Sequence, residues 1–151
     1  MKLLIIIAAV ALFILFAVAS RKRKQRAAVR GLREQFPRIA RIRLIAACPG
    51  LDGLLDEPSL RLLFDWMLIE IHRRTGTSSF GELMQWSVDN GEARAMAMVS
   101  DVSNEAIDRL PAPVLAEIEA CGARAMVAVI LDEALTEAGR RIGPELNRKY
   151  V

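Results

Sequence analysis

Thiol and imidazole side chains are few in this chain, and few of its acidic ones stand where their spacing would support chemistry. His72 is the only histidine and a candidate general base. Its place near a helix C-terminus, on a polar stripe with Arg61 and Asp65, also suits a surface imidazole. Glu70 falls on the opposite side of the same helix, between Trp66 and Leu63, where burial would raise its pKa. Arg73 and Arg74, three and four residues on, offer a simpler role as ion-pair partners. Asp52, Asp56 and Glu57 cluster in a glycine-containing loop as oxygen ligands would, but their spacing matches no calcium loop. Asp101, Ser103 and Glu105 begin like such a loop. Ala106 then stands where glycine is required, so helix capping explains them better.

Other reaction types lack their parts. Cys48 and Cys121 are the only cysteines, with no Cys-x-x-Cys or Cys/His cluster, which argues against a protein-built zinc site. Ser78 and Ser79 have no nucleophile-elbow context, and no glycine-rich phosphate loop is present. Glu137 and Arg141 read as an ordinary i, i+4 surface pair, with Glu133 one turn earlier. Met84, Met96, Met98 and Met126 suit either core filling or an adaptable binding groove. Neither a cofactor nor a metal is expected.

The elements around these residues are helical throughout. Asp56 or Glu57 precedes an apolar helix from Pro58 or Ser59 to Thr75, dense enough in Leu, Ile, Phe, Trp and Met to be a central core helix. Ser79 and Glu82 form a capping box ahead of Leu83, and Asn90-Gly91 stops that helix. Residues 92–99, a short helix capped by Asp101 or Ser103, residues 114–120 and residues 124–141 complete the set. Gly139, Gly143 and Pro144 close the pattern, and residues 145–151 read as a frayed tail. No alternating run or hairpin turn suggests a strand.

The N-terminus is of another kind. Residues 3–19 (LLIIIAAVALFILFAVA) carry no charge, and RKRKQR follows at once. As a helix they would extend about 26 Å, short but sufficient for a hydrocarbon core of about 30 Å. The richer positive flank marks the cytoplasmic side, which places the N-terminus outside and the following domain inside. Ala17-Val18-Ala19 also resembles a signal cleavage site, and a secreted protein released behind Ala19 is the rival reading. The arginines directly behind the apolar run oppose it.

Residues 21–43 hold ten basic side chains against Glu34 alone, a net of +9, whereas residues 44–151 hold ten basic and seventeen acidic groups, a net of −7. Val29, Leu32, Phe36 and Ile39 give the basic stretch an apolar face, and Pro37 should break or kink it. The sequence thus describes an all-α protein in four segments. Residues 1–20 form a single transmembrane signal-anchor, and residues 21–47 a basic amphipathic stem. Residues 48–144 form a bundle of about five short helices, and residues 145–151 the tail. Arg21, Lys22, Arg23, Lys24, Arg26, Arg30 and Arg33 are the candidates for contact with anionic lipid headgroups, at about 1 kcal/mol each; a topogenic charge block followed by the domain's first helix fits the stretch equally well. Nucleic acid is disfavoured by the single aromatic residue in the stem. The function that fits is a membrane-anchored protein-interaction or scaffolding domain on the cytoplasmic side. The alternative is a membrane-bound enzyme of unfamiliar type using Glu70 or the loop from Asp52 to Glu57.

Overall fold

A computed structural model describes residues 21–146 and 148 in full, and residues 2–20, 147, 149 and 150 as helical backbone. The described residues form six α-helices and no strand: α1 Lys2–Ala47, α2 Glu57–Thr75, α3 Phe80–Asn90, α4 Glu92–Ala106, α5 Ala112–Ala120 and α6 Arg124–Tyr150. Two short 3-10 turns, Pro49–Leu51 and Ile107–Arg109, lie at the corners. The side chains of the apolar run 3–19 lie outside the described residues. Among the described residues no helix is long and apolar enough to cross a membrane.

Helix ends follow the local chemistry. Asp56 accepts from the Ser59 amide at 2.8 Å and starts α2, and Gly76 ends it in the left-handed region at φ 66°. The Ser79 hydroxyl accepts from the Glu82 amide at 3.2 Å to start α3. The Glu82 carboxylate turns mainly toward Ser78, with the Ser79 amide a weaker contact. It takes the Ser78 amide and hydroxyl at 2.7 and 2.9 Å. Gly91, at φ 88°, separates α3 from α4.

Several expectations are revised. Helix α1 continues through Pro37, so the expected break near Phe36 does not occur. Phe36, Ile39, Ala40 and Leu44 are buried around that proline, and the Phe36 and Phe64 rings lie 5.6 Å apart. Their burial, at about 1.5–3 kcal/mol for each large side chain, outweighs a proline penalty of about 3 kcal/mol. The second half of the basic stretch is therefore the bundle's own first helix. Helix α4 runs unbroken from Glu92 to Ala106, so Asp101 and Ser103 cap nothing. Helix α6 passes Gly139, Gly143 and Pro144 and continues to Tyr150. Ala134, Ala138 and Ile142, four residues apart, keep it seated in the core.

The main seam is between α1 and α6. Small residues on both sides let the backbones approach. A Cβ on Gly31 would stand 2.9 Å from the Ile142 Cγ2. Helix α2 packs on α1 and α4 through Leu60, Leu63, Phe64, Met67 and Ile71. Its opposite side is open, with Leu62 69 % and Ile69 67 % exposed, so it flanks the core and does not run through its centre.

Candidate functional site

A largely apolar groove of about 540 Å³ lies between α1, α2, α3, α4 and α6. It exists because α3 stands away from the bundle. Of that helix only Leu83 is buried, and the turn at Gly91 carries the chain back along α4. Phe64, Met67 and Ile71 form the floor, with Leu135 and Ile142 on the α6 side. Met84 and Met96 line the groove while remaining 46 % and 59 % exposed. Flexible thioethers at such a margin adapt to different apolar shapes. A volume of this size is typical of a ligand or side-chain pocket.

Asp132 supplies a carboxylate to the groove wall, beside Thr136. Its backbone carbonyl accepts from the Thr136 hydroxyl at 3.2 Å, but its carboxylate has no hydrogen bond or ion pair among the described residues. Burial, with the Glu133 charge next to it, raises its pKa from the ordinary aspartate value. A second shallow hollow, lined by Met96, Val129, Asp132 and Thr136, extends the groove outward. There Glu133 is paired with Arg43 at 3.3 Å, and Glu137 with Arg141 at 3.3 Å.

The residues suggested by sequence are mostly occupied elsewhere. Glu70 pairs with Arg73 and Arg74, and Arg74 reaches on to Glu105 at 2.6 Å. Hydrogen bonds from both guanidiniums pull the Glu70 pKa down to about 2, the opposite of what an acid–base catalyst requires. His72 Nδ1 lies 2.7 Å from the Thr77 hydroxyl in the turn that ends α2. Asp52 faces Arg41 at 3.5 Å, and Asp56 is consumed as a helix cap, its pKa lowered by the hydrogen bonds from Ser59. The loop acids therefore do not converge on a common point. Ser103 is fully buried, and its hydroxyl has no hydrogen-bond partner among the described residues.

The basic side chains divide into two groups. Arg21, Lys22, Arg23, Arg26 and Arg30 are exposed and Lys24 is half-buried. Arg33, also exposed, differs in being paired with Asp65 by two bonds of 2.8 and 2.9 Å at the surface. Arg41 and Arg43, further along α1, likewise pair within the bundle.

One grouping was invisible in the sequence. Cys48 follows α1, Cys121 ends α5, and the fold brings both to Glu117, with their ligand atoms all within 4.8 Å of one another. Cys48 is buried and Cys121 exposed. The Cys121 thiol lies 3.5 Å from Glu117 Oε1. Contact with Cys48, burial and the Glu117 carboxylate push its pKa up to about 12. Nothing in the linear spacing of the two cysteines signals this meeting, since it depends on the corner at Pro49–Leu51 docking against α5.

A second apolar face lies on α2, where Leu62 and Trp66 line a hollow with Arg109, whose guanidinium stacks 5.1 Å from the indole. No protein-family model matches the chain, and no curated protein or solved structure matches it either.

Proposed function

We propose that this chain is a membrane-anchored interaction module whose helical domain, on the cytoplasmic side, receives an amphipathic helix of a partner protein. The carrying observation is the apolar groove edged by Met84 and Met96 with the unpaired Asp132 carboxylate in its wall. An apolar stripe at i, i+3, i+4 and i+7 spacing fills such a groove. A lysine or arginine on the incoming helix would satisfy Asp132 and suit a domain whose residues 44–151 carry a net charge of −7. Anchoring and orientation rest on the uncharged run 3–19 and the cationic block behind it. Exposed cations from Arg21 to Arg30 would lie against anionic headgroups. Glu70, Asp52 and Asp56 are held in ion pairs and a cap, which weighs against the enzyme alternative.

The test uses the full chain in nanodiscs of uncharged lipid and a labelled amphipathic peptide with leucines on one face and lysines on the other. Saturable binding is expected. It should weaken about tenfold or more in Met96→Glu and several-fold in Asp132→Asn, and should fail for a peptide with glutamates in place of lysines. Equal binding of the two peptides, or an unchanged affinity in Met96→Glu, refutes the reading.

A further inference from the structure

The grouping of Cys48, Glu117 and Cys121 plays no part in the groove. It lies where the corner after α1 meets the end of α5. Two thiols and a carboxylate are an unusual set to bring together, because each ionises to an anion and crowding them is unfavourable without a counter-charge. The carboxylate is also accommodated at a specific place. A Cβ at Gly50 would stand 2.0 Å from Glu117 Oε1, so only glycine at this position leaves the acid its present seat. Cys48 Sγ is further held 4.0 Å from the Glu117 carbonyl oxygen, which fixes the buried thiol on the same turn.

We propose that Cys48, Glu117 and Cys121 form a binding site for a thiophilic divalent cation, with Zn²⁺ the ion that fits best. Zinc takes thiolate sulfur at about 2.3 Å and carboxylate oxygen at about 2.0–2.2 Å in tetrahedral geometry. Such bonds separate neighbouring ligands by roughly 3.5–3.8 Å. The Cys121–Glu117 separation of 3.5 Å already meets that requirement, and the set needs only a small contraction from its 4.8 Å limit. Binding replaces two thiol protons with two metal–sulfur bonds and releases both protons to solvent. Harder ions such as Mg²⁺ and Ca²⁺ prefer all-oxygen shells and are excluded by the two sulfurs. Three protein ligands leave a fourth position, which opens to solvent on the exposed Cys121 side.

The full chain, purified in mild detergent with a phosphine reductant and stripped with chelator, is titrated with Co²⁺. A sulfur-to-cobalt charge-transfer band with the visible bands of a tetrahedral ion is expected at one equivalent, and Zn²⁺ should bleach both. Cys121→Ser should diminish the charge-transfer band. Glu117→Gln should keep it but weaken affinity about tenfold or more. Gly50→Ala should weaken affinity in the same direction by displacing the carboxylate. Circular dichroism confirms that these variants remain folded, and Cys121 is preferred over buried Cys48 for that reason. Three outcomes overturn the site: no charge-transfer band at a large excess of Co²⁺, a band indifferent to Cys121→Ser, or a Cys48–Cys121 disulfide as the form isolated without reductant.

Discussion

Arg33 and Asp65 meet in a two-point fork, Nε to Oδ1 at 2.8 Å and Nη2 to Oδ2 at 2.9 Å, joining α1 to α2. The fork gives Arg33 a duty unlike that of the exposed cations before it. Replacing Arg21, Lys22, Arg23, Lys24 and Arg26 with glutamine should scramble the orientation of the anchored chain. Arg33→Gln should leave orientation unchanged and lower thermal stability slightly, more so at low salt. Protease protection of the domain in sealed vesicles, beside melting curves, separates the two effects.

Glu70 makes stability depend on pH. Its folded pKa of about 2 lies below the ordinary 4.5, so its contribution is fully present above about pH 4.5 and is lost as pH falls toward 2. Glu70→Gln should therefore be less stable than the parent at pH 7. The gap should close progressively across that acidic window in urea unfolding monitored by circular dichroism. A gap that stays constant from pH 7 to pH 2.5 would mean the two arginine contacts contribute nothing.

Gly31 is a packing position. Gly31→Ala would ordinarily favour a helix by about 1 kcal/mol. Here the added methyl meets Ile142 Cγ2 at 2.9 Å, and a net loss of about 1–3 kcal/mol is expected. Combining it with Ile142→Ala should cost less than the sum of the single changes. Additive losses in denaturant unfolding would place the strain elsewhere.

Ser103 runs the other way. Its hydroxyl is fully buried on α4 without a hydrogen-bond partner among the described residues. Ser103→Ala removes that desolvated group and adds helix preference, so a gain of about 1 kcal/mol is expected. A destabilised alanine variant would show that the hydroxyl is satisfied in solution.

The starts of α2 and α3 and the ends at glycines 76, 91 and 122 were legible because they are written locally: Asp56 before Ser59, Ser79 before Glu82. The ion pair of Glu70 with Arg73 and Arg74 followed from i, i+3 and i, i+4 spacing alone. Tertiary consequences were not legible. Pro37 looked like a break because a proline's local penalty is visible, while the burial of Phe36 and Leu44 against distant helices is not. The same holds for Ser103, which reads as a cap until α4 is seen to pass through it, and for α6 beyond Gly143, where the seam with α1 sustains the helix. Met84 and Met96 were suspected of lining a groove. That Asp132 shares its wall, and that Cys48 and Cys121 meet at Glu117, depend on contacts between segments remote in sequence.

Because α1 is a single helix from Lys2 to Ala47, no flexible linker stands between the apolar leader and the first groove residue, Ala28. At 1.5 Å per residue, Ala28 lies about 12 Å along the axis from Ser20. With the leader embedded as proposed, the receptor surface is mounted at a set height above the headgroups and cannot sweep a wide volume. Only targets that present their helix within that thin layer would be captured, which selects neighbours in the same bilayer over proteins diffusing freely in the cytosol.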